Sequence, residues 1–267
     1  MEEDVQRSWE RLCAVLRPLG SAVVAFSGGV DSSVLLAAAH GALDGRVLAV
    51  TGRSPSVPAR EIEAAAAFCE QFGFAHAVID THEFSIDGFT QNPPNRCYLC
   101  KRELLTCCRA VAQREGLAHV LEGSNADDAH AHRPGMAAVR ELGCASPLLQ
   151  AGIDKRTVRA LARWRGLPTA DKPSAACLNS RFEYGALLGT EGLSRVDAAE
   201  EALRELGMGQ VRVRVHGDDA RIEVEPGQIA QLAAPETRAR ALAALTHLGF
   251  THVSLDLEGY RTGSMDR

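Results

Sequence analysis

The 267-residue chain contains no apolar run long enough to cross a membrane, no internal repeat and no low-complexity tract. A membrane-spanning protein, a solenoid and a disordered tether are therefore not expected. A basic surplus is also missing. The net charge of -5 argues against a general nucleic-acid-binding surface, although a local basic patch stays open. The first residues, Met1-Glu2-Glu3-Asp4, lack the charge pattern of a secretion signal. A cytoplasmic location is expected, with the eight cysteines acting as thiols, metal ligands or catalytic groups rather than as a disulfide framework. Two further absences matter for chemistry. No second Cys-x-x-Cys accompanies Cys97 and Cys100, so a complete zinc site is not written in the chain. No lysine follows the glycines of Ser27-Gly28-Gly29-Val30-Asp31-Ser32-Ser33, so that segment is not a Walker A loop.

What that segment offers is an anion site of another kind. It follows the apolar run Ala22 to Phe26 and opens the helical stretch Val34 to His40. A strand, a glycine turn and a helix N-terminus present backbone N–H groups to a phosphate. Gly28 and Gly29 permit a close backbone approach. Ser27, Ser32 and Ser33 add hydroxyl donors, and Asp31 is a candidate ligand for Mg²⁺. The segment resembles the PP-loop of ATP pyrophosphatases.

Apolar runs at Val23–Phe26, Val47–Thr51, Ala77–Ile79 and His119–Leu121 alternate with helical patterns at Val34–His40, Arg60–Phe72 and Arg102–Arg114, after an opening amphipathic helix on Val5, Trp9, Leu12 and Leu16. The expected fold class is α/β: βαβ units forming a parallel sheet with helices on both faces. A helix over Lys155 to Arg165, capped by Asp154, closes this domain, assigned to 1–168. From 169 to 267 the pattern changes. An irregular connection over Thr169–Gly192 leads into a small α+β domain of order α-β-β-α-β. In it Val211, Val213 and Val215 alternate with Arg212, Arg214 and His216, which predicts a half-buried strand. Ser54, just past the second strand, lies where adenine binds in this fold class. Gly123 ends the fourth strand and joins the expected nucleotide site. Asp127 and Asp128 follow it as candidates for Mg²⁺, ribose or turn capping. His130, His132 and Arg133 cluster without the acid or cysteine a zinc site needs.

Cys97 and Cys100 stand at the mouth of a helix, three residues apart and on one face. There a helix N-terminus favours the thiolate. Cys177 lies in the irregular loop Lys172–Arg181, whereas Cys13, Cys69, Cys107, Cys108 and Cys144 are read as core thiols. Thiolates from Cys97, Cys100 and Cys177 would suit a [4Fe–4S] cluster with one iron left open; an unrelated redox pair and a spare thiol is the competing reading.

Beyond the glycine loop, the segments Arg96-Cys97-Tyr98-Leu99-Cys100-Lys101, Arg133-Pro134-Gly135, Ser180-Arg181-Phe182-Glu183-Tyr184-Gly185, Val211-Arg212-Val213-Arg214, Ala220-Arg221-Ile222-Glu223 and the tail Leu255 to Met265 resemble the LarE family, PP-loop sulfur transferases of nickel-pincer nucleotide synthesis. The resemblance implies ATP-dependent adenylation of pyridinium-3,5-biscarboxylic acid mononucleotide, release of pyrophosphate, and displacement of AMP by sulfur. Some members sacrifice a cysteine that aligns with Ala176 here. The cysteines at 97, 100 and 177 place this chain instead with the cluster-bearing type, whose open iron carries the donor sulfide. Ser180 and Arg181 adjoin Cys177, Arg212 and Arg214 point the same way on their strand and suit the carboxylates and phosphate of such a substrate, and the resemblance puts Arg181, Glu200 and Arg212 near it. A solvated face is the competing reading for Glu200, Arg212 and Arg214. The implied partners are a sulfide source, other nickel-pincer pathway enzymes and further copies of the chain in a homo-oligomer, a hexamer in the family. A PP-loop tRNA thiolase, an amide-forming synthetase and a non-catalytic nucleotide-binding iron–sulfur module are the alternatives.

Overall fold

The structure is a computed structural model that describes residues 2–129, 134–173 and 176–261. Arg133, the neighbouring His130 and His132, Ser174 and Ala175 of the cysteine loop, and Thr262 to Met265 of the tail lie outside the described residues.

The chain forms two compact units. The first comprises Met1–Ile86 and Asn95–Ala175; the second comprises Asp87–Pro94 and Ala176–Arg267. The change of unit thus falls seven residues later than the sequence pattern suggests. An eight-residue segment from the first half also joins the second unit.

In the first unit the elements are α1 (Glu2–Leu16), β1 (Ala22–Ala25), α2 (Val30–Ala42), β2 (Val47–Arg53), α3 (Ala59–Phe72), β3 (His76–Asp80), α4 (Arg96–Arg114), β4 (His119–Leu121), α5 (Gly135–Glu141), α6 (Pro147–Gln150) and α7 (Lys155–Trp164). The four strands form a parallel sheet of order β3-β2-β1-β4. Strand β1 explains why its apolar run is continuous rather than alternating. Ala22 and Val24 face a core built with Leu35, Leu36, Phe68 and Leu161, whereas Val23 and Ala25 face a second core with Leu105, Cys108 and Val111. Successive side chains of a strand point to opposite faces, so a strand covered by helices on both sides has no polar face. From β1 the chain steps outward to β2 and β3, then crosses back from β3 to place β4 on the other side of β1. The gap between β1 and β4 is therefore the switch point at which open parallel sheets bind ligands.

In the second unit α8 (Thr190–Glu205) precedes a β5 (Val211–His216) and β6 (Asp219–Val224) hairpin, then α9 (Ile229–Ala233), α10 (Pro235–His247) and β7 (His252–Leu255). The sheet order is β5-β6-β7, antiparallel then parallel. Strand β5 is buried along both faces, not half-buried; only His216 is exposed. Its arginines are tolerated inside because they find partners there, as described below.

Candidate functional site

The turn between β1 and α2 is the candidate anion site. Gly28 has φ +66°, and a Cβ built on it would lie 3.3 Å from the Ala65 Cβ of α3. Both conformation and space therefore call for glycine. Gly29 is the N-cap of α2 and has no side chain with which to cap the first turn. That leaves the helix N-terminus suited to an anion. Ser32 fastens the turn: its Oγ donates to the Gly29 carbonyl at 3.0 Å and accepts from Ser27 N–H at 3.4 Å. Ser27 is exposed, whereas Ser33 is fully buried on the inner face of α2. Across the switch point, a Cβ on Gly123 would come within 3.2 Å of the Ser32 nitrogen. Ser27, Gly28, Gly29, Asp31, Ser32 and Gly123 are thus brought together. Ser54 follows β2, and its hydroxyl donates to the buried Glu83 at 2.5 Å while accepting from Ser56 N–H at 3.2 Å.

Sequence reasoning missed two lysines. Lys155, the first residue of α7, forms an ion pair with Asp31, which also accepts from the Asn125 side-chain amide at 2.9 Å. Lys172 donates to the Gly28 carbonyl at 3.0 Å and pairs with Glu61 at 2.8 Å. The loop has no cation within it, but the fold delivers two from far along the chain. Asp127 and Asp128 have structural work: Asp127 accepts from Lys155 N–H at the head of α7, and Asp128 accepts from Asn125 N–H.

Cys97 and Cys100 lie in the first turns of α4, which begins six residues earlier than its sequence pattern suggests. Cys97 is exposed and Cys100 half-buried. Lys101, next in the chain, donates to the buried Glu122 at 2.9 Å, and the Ser124 and Ser146 hydroxyls donate to the same carboxylate. Burial opposes ionisation of Glu122, yet the Lys101 charge and these hydrogen bonds outweigh it and hold its pKa below the ordinary value. The other thiols of this unit behave as core groups. Burial pushes Cys69 and Cys107 up to about 11 and Cys108 up to about 12, and raises Cys13 and Cys144.

Cys177 belongs to the second unit, half-buried, just before the short helical turn Leu178–Arg181. Arg181 is 1% exposed. Its Nε and Nη2 donate to the two oxygens of Glu200 at 2.8 and 3.0 Å, and its Nη1 reaches the carbonyls of Ala176 and Cys177 at 2.9 and 3.0 Å. Ser180 Oγ also donates to the Cys177 carbonyl at 2.9 Å. Arg214 repeats the pattern: it grips Glu223 with two nitrogens and donates to the Ser180 carbonyl at 2.9 Å. Arg181, Glu200 and Arg214 therefore form a buried frame under the cysteine loop, not the solvated face considered for Glu200 and Arg214. Arg212 is also buried, over the Tyr260 ring at 5.1 Å. Burial, and next the Arg181 charge, lower its pKa. Within each unit, among the described residues, no three His, Cys, Asp or Glu side chains converge as a metal site.

A glycine-cornered loop at the switch point of a parallel sheet, with no lysine of its own, defines the PP-loop class of nucleotide-binding proteins. The family model "Queuosine biosynthesis protein QueC" matches residues 21–94, the part containing that loop. A Synechocystis protein described as uncharacterised is 41% identical over 258 residues, covering 97% of this chain and 96% of that protein. The pyridinium-3,5-bisthiocarboxylic acid mononucleotide synthase of Lactiplantibacillus plantarum is 37% identical over 257 residues, 96% of this chain and 92% of the relative. An uncharacterised Methanocaldococcus jannaschii protein is 28% identical over 90% of both chains. The chain belongs to the family of that synthase, the LarE family.

Proposed function

We propose that the protein is an ATP-dependent sulfur transferase that turns the carboxylates of pyridinium-3,5-biscarboxylic acid mononucleotide into thiocarboxylates. The observation that carries this reading is the likeness to the L. plantarum synthase over 96% of the chain, a span that takes in both the glycine loop and the Cys177 loop. A substrate carboxylate oxygen attacks the α-phosphorus of ATP, and pyrophosphate leaves. The loop Ser27–Gly29 and the head of α2 meet the developing charge with donors already in place. Asp31 is the residue offered to Mg²⁺. Sulfur then attacks the activated acyl carbon, and AMP leaves with the bonding electrons.

The donor set fits an iron–sulfur cluster. Cys97 and Cys100 share a helix face outside the core, and Cys177 stands in an irregular loop, whereas the remaining five thiols are withdrawn or raised by burial. A [4Fe–4S] cluster on these three would supply an iron-bound sulfide as the sulfur source. Asn92, five residues before Cys97, donates its side-chain amide to the carbonyls of Phe182 and Glu183, just after Cys177. Arg181, Ser180 and Glu200 hold the Cys177 loop in shape. Arg212, buried beside Arg181 and Glu200 and over the Tyr260 ring, is the substrate arginine in this reading. A homo-oligomer, a sulfide source and neighbouring enzymes of nickel-pincer synthesis complete the proposal, set in the cytoplasm.

Purification without oxygen, with iron and acid-labile sulfide measured in wild type and Cys177→Ser, tests the donor. About four irons per chain that disappear in the variant are expected. Iron-free wild type after reconstitution overturns the cluster. AMP and pyrophosphate released with the biscarboxylate nucleotide support the substrate assignment. Release only with tRNA would move the protein to the tRNA thiolases.

A further inference from the structure

We infer that Lys155 and Lys172 are the phosphate-binding cations of the nucleotide site, and that Lys155 yields Asp31 to a divalent cation when nucleotide binds. This rests on reading the glycine loop as the ATP site. The loop itself holds glycines, serines and an aspartate, and no cation. A nucleotide triphosphate would thus arrive beside two carboxylates, Asp31 and Glu61, of which Glu61 is also paired by its neighbour Arg60 at 3.5 Å.

The fold answers with two ammonium groups. The Lys155 backbone is fixed: its N–H donates to Asp127 at 3.0 Å, and Asp154 caps the same helix by accepting from Thr157 N–H at 2.7 Å. The Lys172 backbone is fixed too, since its carbonyl accepts from Arg159 at 3.2 Å. Each lysine is anchored at its backbone, and its side chain keeps partial access to solvent, 34% for Lys155 and 23% for Lys172. A lysine of this kind is a compact charge on a flexible stem, able to exchange one oxygen partner for another. Lys172 already touches the loop at the Gly28 carbonyl. Lys155 already neutralises Asp31, the carboxylate most suited to Mg²⁺. A divalent ion taking Asp31 releases one positive charge next to the phosphates that come with the ion. The exchange makes metal and triphosphate binding mutually dependent.

Equilibrium titration of the full-length protein with Mg-ATP, pyrophosphate and AMP tests this, using wild type, Lys155→Met, Lys172→Met and Lys155→Arg, each checked by its melting curve. The Met variants should lose on the order of tenfold in affinity for ATP and pyrophosphate, with AMP affinity held within about twofold, because only the outer phosphates lose a charged partner. Lys155→Arg should recover part of the loss. In Lys155→Met, Mn²⁺ without nucleotide should bind more tightly, since Asp31 has lost its competitor. Equal loss for AMP and ATP, or no loss, overturns the assignment and makes the lysines scaffold. Wild type that binds neither ATP nor pyrophosphate overturns instead the nucleotide-site reading beneath it.

Discussion

Every nitrogen of the Arg181 guanidinium donates inside the protein, to Glu200 on one edge and to the Ala176 and Cys177 carbonyls on the other. Such a residue is better suited to hold a loop than to hold a ligand. Removing one member of a buried pair strands the other charge, so Glu200→Gln should destabilise the protein by about 3–5 kcal/mol, read from urea unfolding. The loss should be large because Arg204 and the Val213 N–H also donate to that carboxylate. Lys at 181 keeps the charge but not the planar fork. Arg181→Lys should therefore change the alkylation rate of Cys177 severalfold while leaving ATP affinity intact; an unchanged rate would argue against a positioning role. Gly28 makes a different residue-scale case. Alanine there would need φ near +66° and would press on Ala65. Gly28→Ala should cost about 1–3 kcal/mol and abolish nucleotide binding, checked by thermal unfolding and titration.

Lys101 of α4 pairs with the buried carboxylate of Glu122, the residue that follows β4. Because the folded pKa of Glu122 lies below its ordinary 4.5, its contribution is fully present above that value and is lost as pH falls towards the lower, folded pKa. Stability measured from pH 6 down to 3 should fall more steeply in wild type than in Glu122→Gln; parallel curves would show that the carboxylate adds nothing. At this scale the sequence was readable where burial is simple. The runs at β1 and β2 carry their strand identity because the centre of the parallel sheet is covered on both faces. Asp154 marks the start of α7 because a cap must accept from a specific N–H. Strand β5 misled because alternating valine and arginine looks amphipathic. Its arginines are inside only because Glu223 and Glu200, from other elements, meet them. Lys155 and Lys172 were invisible for the same reason: pairing across more than 120 residues leaves no local pattern.

The largest unreadable feature is the exchange of Asp87–Pro94 into the second unit. The segment is short and proline-bearing, and nothing periodic marks it as core. Yet Phe89 is fully buried, Leu188 N–H donates to the Thr90 carbonyl at 2.7 Å, and Gly185 N–H donates to the Asn92 carbonyl at 3.2 Å. Asn92 adds its side-chain amide and adopts φ +47°, a conformation asparagine tolerates better than most residues. The second unit is therefore completed by chain that precedes Cys97, and its stability depends on residues numbered among the first. Phe89→Ala should cost about 3–5 kcal/mol. Because the ring is buried in the second unit, the loss should be local. Hydrogen exchange should show amides of Phe182–Leu188 and β5 losing protection while β1 and β2 keep theirs. Equal loss in both sheets would mean that the two units unfold as one, and that the shared segment couples them into a single cooperative structure.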